Sequence, residues 1–223
     1  MNHLFTCLSN ATLQASRNSV IWANKFKTPA ATWFAAKRTL GDWQNAQEKR
    51  EQGARIARPR IWKPPDLGWI KVNIDAATNV DDAFTGVAFV ARDEHGRFVA
   101  ARNSRIVGLF SPRVAEAIAF KEALSWIQAE GWTHVCCEGD SLDVVHAIES
   151  AFLLDLTSFG AVINDIKTLV RSWRGNCGVA AVPRTANSAA HCLAQATRNP
   201  VSVGAWRGVP PNFLNVVLLA DLN

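Results

Sequence analysis

The stretch that most restricts the fold is the alternating run "WIKVNIDAA" at residues 69–77. Its side chains change from apolar to polar at every second position, with Val72 and Ile74 on one face and Asp75 on the other, which is the pattern of a β-strand. "FTGVAFVARD" and "RFVAARNSRIV" follow as two more strands, joined by the turn "DEHG" in a hairpin. The folded region therefore opens with three consecutive strands, which we expect to be antiparallel.

After the third strand, helical and strand patterns alternate. Helices are predicted at "RVAEAIAFKEALSWIQAEG", "SLDVVHAIES", "FGAVINDIKTLVRSW", "NSAAHCLAQAT" and "PPNFLNVVLLADL". Strands are predicted at "HVCCEGD" and "CGVAAVP". Three strands followed by alternating units predict an α/β fold, in which a mixed five-stranded sheet carries helices on both faces.

The positive charge of the chain is concentrated at its beginning. Residues 1–60 hold ten Lys/Arg against three Asp/Glu, a balance of +7, whereas residues 61–223 hold fourteen against sixteen, a balance of −2. "AATWFAAKRTLGDWQNAQEKREQ" predicts a helix, and the prolines of "RIARPRIWKPPDLG" predict a linker. We therefore divide the chain into a basic, partly helical extension with its linker (1–60) and a folded domain with a C-terminal helix (61–223). The basic arm suits a polyanionic partner and suits an ordinary solvated tail equally well.

Other features of the sequence concern its compartment. The five cysteines form no CxxC pair, which favours free thiols in a reducing compartment. The first acid is Asp42, and the basic, acid-poor segment before it is compatible with an organelle transit peptide. We expect an intracellular location and favour the nucleus. No apolar run approaches the ~18 residues of a membrane span, so no membrane partner is expected.

Three acids do not fit their surroundings. Glu116 lies on or beside an apolar stripe of its helix, where a lone carboxylate needs a partner, a proton or a cation. Asp75 and Asp140 each end a strand, and each has an ordinary explanation, Asp140 as a helix cap. If the two strands are adjacent and parallel, however, these acids meet at one edge of the sheet. Clustered carboxylates select hard cations such as Mg²⁺ or Mn²⁺.

Several phrases, in this order, give the sequence a recognisable resemblance: "WKPP", "GWIKVNID", "GVAFVARDEHG", "AEAIAFKEAL", "EGDS" and "NSAAHCLA". Over residues 62–197 the chain resembles the type 1 ribonuclease H domain of plant non-LTR retrotransposon reverse transcriptases. The resemblance implies metal-dependent endonucleolytic cleavage of the RNA strand in RNA–DNA hybrids, with two Mg²⁺ or Mn²⁺ ions. Carried over by motif, the catalytic and metal-binding positions are Asp75, Glu116, Asp140 and His191.

The chain departs from the family pattern at its proposed site. His191 stands where the family has a fourth acid, and the ordinary reading of it is a hydrogen-bonded histidine in a helix. Ala76 replaces a usual glycine, and no loop histidine precedes the last domain helix, where Arg184 is the charged residue. Candidate contacts to nucleic acid are Asn73, Asn79, Arg184 and Asn187.

The expected partner is nucleic acid, either an RNA–DNA hybrid or double-stranded RNA, bound by a monomer. Two other readings remain: a module that binds nucleic acid without cutting it, and a transposon remnant whose fold serves protein contacts. Integrase-like and exonuclease relatives share clustered acids, but "AEAIAFKEAL" favours ribonuclease H.

Overall fold

The computed structural model describes residues 61–150, 155 and 157–221. The basic extension predicted at 1–60, with its helix, lies outside the described residues.

A six-stranded mixed sheet forms the frame of the domain, with the strand order β5-β4-β1-β2-β3-β6. The first three strands are antiparallel neighbours, as predicted, and β4 and β5 run parallel to β1. The strands are β1 Ile70–Asn79, β2 Phe84–Arg92, β3 Phe98–Val107, β4 His134–Gly139, β5 Asn176–Ala181 and β6 Gly204–Arg207.

The predicted count of five strands was wrong, because β6 had not been anticipated. This strand is four residues long, "GAWR", and lies at the edge of the sheet. It pairs antiparallel with β3, from Ala100 opposite Arg207 to Asn103 opposite Gly204. So short a segment carries too little alternation to be recognised, and its strand conformation depends on the backbone of β3.

Five helices and two 3₁₀ turns complete the described part of the domain. The helices are α1 Pro112–Glu130, α2 Leu142–Glu149, α3 Ser158–Arg171, α4 Ser188–Ala196 and α5 Asn212–Ala220, and the turns are Arg184–Asn187 and Pro200–Ser202. Helix α1 ends where predicted, at Gly131, whose φ of 76° is a left-handed cap conformation suited to glycine. None of the helices in the described ranges is long and apolar enough to span a bilayer.

Apolar cores cover both faces of the sheet. On one face Val72 and Ile74 of β1 belong to a core that includes Phe120 and Leu124 of α1. On the other face Ala88 and Val90 of β2 belong to a second core with residues of α4 and α5. Burial of each large side chain contributes about 1.5–3 kcal/mol, so the two cores hold the strand ends in fixed positions.

A buried polar cluster joins the first residues of the domain, the sheet and the residue that follows α5. The Trp62 indole N–H donates to Asn73 Oδ1 at 2.8 Å, and the Arg92 guanidinium lies 3.6 Å from the centre of a Trp62 ring. Arg92 Nη1 in turn donates to Asp221 Oδ2 at 2.7 Å. The tryptophan of the "WKPP" phrase is therefore part of the domain and is stabilised by a stacked cation.

Candidate active site

The register between β1 and β4 places two acids side by side. Ile74 pairs with Gly139 in the parallel ladder, and the next residues along the two strands are Asp75 and Asp140. The expectation that these strands are adjacent and parallel is confirmed. β4 ends at Gly139, but β1 continues to Asn79, so Asp75 lies within its strand and not at its end as predicted. The two carboxylates still lie in the same region, because each follows a member of the same register pair.

Helix α1 adds a third acid to this edge. Glu116 lies in its second turn, between the buried residues Ala115 and Ala117. One carboxylate oxygen from each of Asp75, Glu116 and Asp140 lies within 4.8 Å of the others. Three elements that are distant in sequence thus bring three carboxyl groups to one place. A metal site formed by these acids requires this convergence.

Burial and mutual repulsion change the proton affinity of these acids. Burial, opposed by a hydrogen bond from His191 and reinforced by Asp140, raises the pKa of Asp75 to about 6. Burial, with the charges of Asp75 and Asp140, raises the pKa of Glu116 to about 9. Without a cation, the cluster therefore retains a proton on Glu116 at neutral pH.

The donor set fits a divalent metal ion. The Oε2 atom of Glu116 is buried, and in the described part of the chain it accepts no hydrogen bond. A buried acceptor without a partner is costly, and a cation shared with the other two carboxylates would remove that cost. Oxygen-only donors suit Mg²⁺ and Mn²⁺, so Asp75, Glu116 and Asp140 are the residues that would hold such an ion.

The acids line a cleft of about 220 Å³. Arg184, in the 3₁₀ turn before α4, and His191, in α4, also line it. His191 Nδ1 lies 3.0 Å from Asp75 Oδ2, and Arg184 Nη2 lies 3.0 Å from His191 Nε2. His191 therefore contacts the site by its hydrogen bond to Asp75. The ligand atoms that converge belong to the three acids.

The predicted contacts to nucleic acid are placed unequally. Arg184 is exposed in the cleft. Asn79 lies at the end of β1 and donates to Asp82 Oδ2 at 2.7 Å, outside the cleft of the acids. Asn73 and Asn187 have no exposed surface. Their interpretation as nucleic-acid contacts does not fit this placement, because a ligand cannot touch them without rearrangement of the core.

The two buried asparagines support the site from behind. Asn187 Nδ2 donates to the carbonyl of Ile74 at 2.8 Å, immediately before Asp75. Asn73 joins Trp62, Arg92 and Glu138 in the buried polar cluster. Sequence reasoning offered both only as polar candidates for contacts. Strand alternation at Asn73 does not distinguish a solvent face from a covered one, and the short turn that holds Asn187 gives no sign of burial.

Two polar residues of the cleft were missed by sequence reasoning. Thr78 and Gln195 line it beside the acids. Gln195 lies one helical turn after His191 in α4, so the i, i+4 spacing could have indicated that the two share a face. Thr78 shares a strand face with Ala76 and offers no comparable signal.

A comparison with protein families gives one match. The family model described as "Reverse transcriptase-like" matches residues 73–197, a segment that contains Asp75, Glu116, Asp140, Arg184 and His191. A search of curated proteins finds no significant match.

Solved structures resemble the domain at low sequence identity. Ribonuclease H1 from the halophilic archaeon Halobacterium salinarum NRC-1 is 21% identical, with a TM-score of 0.54, over 59% of this chain and 98% of that protein. LC9-RNase H1, described as a type 1 RNase H with the type 2 active-site motif, is 14% identical, with a TM-score of 0.50, over 71% of this chain and 87% of that protein. At such identities the likeness shows the fold.

Proposed function

The chain belongs to the reverse transcriptase-like family and has a ribonuclease H-like fold, and from this premise we propose that it binds nucleic acid and hydrolyses the RNA strand of RNA–DNA hybrids. The observation that carries the proposal is the convergence of Asp75, Glu116 and Asp140 within 4.8 Å at one edge of the sheet. Such a cluster is stable only with protons or cations, and hydrolysis of a phosphodiester is chemistry that bound cations supply.

The residues of the cleft have separate roles in this reaction. Asp75, Glu116 and Asp140 would hold Mg²⁺ or Mn²⁺, and the resemblance to ribonuclease H implies two ions. Ions held there would supply activation of a water and stabilisation of negative charge on the departing 3′ oxygen. Arg184, exposed in the same cleft, donates to a phosphate oxygen and orients the backbone.

Three features of the cleft support nucleic acid as the substrate. The cleft is open to solvent and is lined by a guanidinium together with acids. Thr78 and Gln195 offer a hydroxyl and an amide that can contact sugars, and contacts to 2′-hydroxyl groups distinguish RNA from DNA. The resemblance of the sequence also supports an origin in a plant retrotransposon and action as a monomer.

The proposal is tested with the full chain and an end-labelled RNA–DNA hybrid. We expect cleavage with Mg²⁺ or Mn²⁺ and none in EDTA. Asp75→Asn and Asp140→Asn are expected to lower the rate about 100-fold or more, which is the scale on which loss of one electrostatic group acts in an active site. The matched control is Asp165→Asn, which removes an exposed carboxylate of α3 that pairs with Lys121. Cleavage that persists unchanged in both site variants would reject the assignment.

A second candidate is a module that binds nucleic acid without cutting it. Two observations favour it: a histidine stands at the fourth ligand position, and the methyl group of Ala76 lines the cleft. This function predicts binding that weakens steeply with salt and no turnover with either metal. Metal-dependent cleavage by the purified chain, abolished in Asp140→Asn, would dismiss it.

A further inference from the structure

We propose that His191 is a positioning residue. Its Nδ1 holds Asp75 in place and its ring supports Arg184, so that the positive charge of Arg184 lies beside the position where the family has a fourth acidic ligand. This inference rests on the proposed function of the same site. It assigns His191 and Arg184 to a joint task, in which the cation that faces the phosphate is part of the chain. It further implies that the chain alone binds one divalent ion at the three acids.

The first step concerns the nitrogen that faces the acids. His191 Nδ1 lies 3.0 Å from Asp75 Oδ2. At this distance Nδ1 is directed at the Asp75 carboxyl oxygen and is occupied by that hydrogen bond, so it is not available to a metal ion. The lone-pair direction of Nε2 diverges from that of Nδ1 around the ring and therefore points away from Asp75. His191 thus cannot ligate, in this arrangement, an ion shared by the three carboxylates.

The second step concerns the position of the guanidinium. Arg184 Nη2 lies 3.0 Å from His191 Nε2 and 3.3 Å from Nδ1. An atom nearly equidistant from both ring nitrogens cannot lie in the ring plane, because it would collide with the carbon between them. It therefore lies over the face of the imidazole, so the guanidinium contacts the ring of His191 from one side.

The contact with His191 brings the positive charge of Arg184 close to the acids. The positive charge of Arg184 opposes the rise in pKa of both Asp75 and Glu116, so it acts on the acids electrostatically. Arg184 is also exposed, and it is the cationic guanidinium that lines the cleft. It can therefore interact electrostatically with the acids and donate a hydrogen bond to an incoming phosphate oxygen at the same time.

The fourth step concerns the number of ions. Affinity for divalent ions rises with the number of charged ligands, and this site offers three carboxylates with a guanidinium beside them. Replacing an acid by a neutral or cationic group, and adding a fixed cation, lowers the attraction for a second ion. One ion with Arg184 beside it gives the charge balance that the structure favours.

The metal arm of the test uses Mn²⁺ alone with the full chain. Equilibrium titration followed by electron spin resonance counts bound ions, and spin-echo modulation reports directly bound nitrogen. We expect one tight ion in the unmodified chain, no directly bound histidine nitrogen, and a second ion in His191→Asp. A nitrogen signal that disappears in His191→Ala, or two tight ions in the unmodified chain, would overturn the inference.

The nucleic-acid arm uses hybrid binding in EDTA, where metal ligation plays no part. We expect Arg184→Ala and His191→Ala each to weaken binding about 3- to 10-fold, and the double variant to be no weaker than either single variant, because His191 acts through Arg184. The matched control is Arg102→Ala, an exposed arginine of β3 outside the cleft. Additive losses, or a His191→Ala variant that binds like the unmodified chain, would contradict the joint role.

The two arms separate this inference from the proposed function. Failure to bind any hybrid at low salt would reject the proposed function and the phosphate contact of Arg184. The Mn²⁺ titration would still decide whether His191 is a metal ligand. Tight single-ion binding without cleavage would reject the nuclease activity and leave the positioning role of His191 in place.

Discussion

Ile74 and Gly139 are register partners in the parallel ladder of β1 and β4, and this pairing fixes the separation of the two acids that follow them. A shift of one residue would turn one of the acids to the opposite face of the sheet, because side chains alternate along a strand. The candidate metal site thus depends on the register between β1 and β4.

Gly139 is the most sensitive position of this register. A Cβ atom there would lie 2.6 Å from Cε2 of Phe120, a ring with no exposed surface in the close-packed core. Gly139→Ala is therefore expected to lower the free energy of unfolding by about 1–3 kcal/mol, as overpacking does, and to weaken Mn²⁺ binding by displacing Asp140. The control is Gly178→Ala on β5, where the nearest atom lies 3.9 Å away. Equal stability of the two variants in urea unfolding would contradict the close contact.

Asn187 is expected to be needed for the position of Asp75. Its Nδ2 donates to the carbonyl of Ile74 at 2.8 Å from a fully buried side chain. Asn187→Ala leaves that buried acceptor without its donor and is expected to cost about 1–3 kcal/mol, with weaker divalent-ion binding. Asn79→Ala, which removes a hydrogen bond to the exposed Asp82, serves as the control and is expected to cost less. Urea unfolding and Mn²⁺ titration of both variants check this prediction.

The ion pair between Arg92 and Asp221 is expected to contribute strongly to stability. Arg92 has 1% of its surface exposed, and its Nη1 lies 2.7 Å from Asp221 Oδ2. Asp221→Ala leaves the buried guanidinium without its carboxylate, which is expected to cost about 3 kcal/mol. Asp165→Ala breaks the exposed pair with Lys121 and is expected to cost less than about 1 kcal/mol. Thermal unfolding at matched pH would contradict the prediction if the two losses were alike.

The stability of the metal-free chain is expected to depend on pH through the site. The pKa of Asp75 is raised to about 6 and that of Glu116 to about 9, so the folded state holds protons that the unfolded state releases near pH 4. By linkage, this proton binding supports the fold at low pH, and its contribution is lost as pH rises from about 4 to 9. Mg²⁺ is expected to restore stability, and to do so more strongly at high pH, because it competes with these protons.

Glu116→Gln provides the check on this pH dependence. The variant removes the carboxyl with the higher pKa, so in EDTA at pH 8 it should melt above the unmodified chain and gain less from Mg²⁺. Glu122→Gln changes an exposed glutamate of the same helix and should follow the unmodified chain. Melting curves measured from pH 5 to 9 that are identical for Glu116→Gln and the unmodified chain would contradict the coupling.

Much of the fold follows from local pattern. Period-two alternation predicted β1, and helical periodicity with a terminal glycine predicted α1 and its end at Gly131. The edge strand β6 escaped prediction because a four-residue segment has almost no pattern of its own. Its conformation comes from hydrogen bonds to β3, a partner some hundred residues earlier in the chain.

The candidate site divides in the same way. Glu116 stands out in the sequence because a carboxylate on an apolar stripe is costly without a partner. Asp75 and Asp140 each have an ordinary explanation, and they pointed to a site only in combination with Glu116. The burial of Asn73 and Asn187 was beyond sequence reasoning, since it depends on the tertiary packing around β1 and around the 3₁₀ turn before α4. The role of His191 was also open, because residue type does not say which ring nitrogen faces the acids.

Residue type and spacing singled out the three acids as candidates, since the cost of an unpaired carboxylate is a property of the group and its near neighbours. Tertiary packing decided where those groups lie, through the β1–β4 register, the approach of α1 and the contact of Arg184 with His191. The physical reason is distance along the chain: periodicity reports on a few neighbouring residues, whereas metal ligation and side-chain contacts need atoms within a few ångströms from elements that only the folded core brings together.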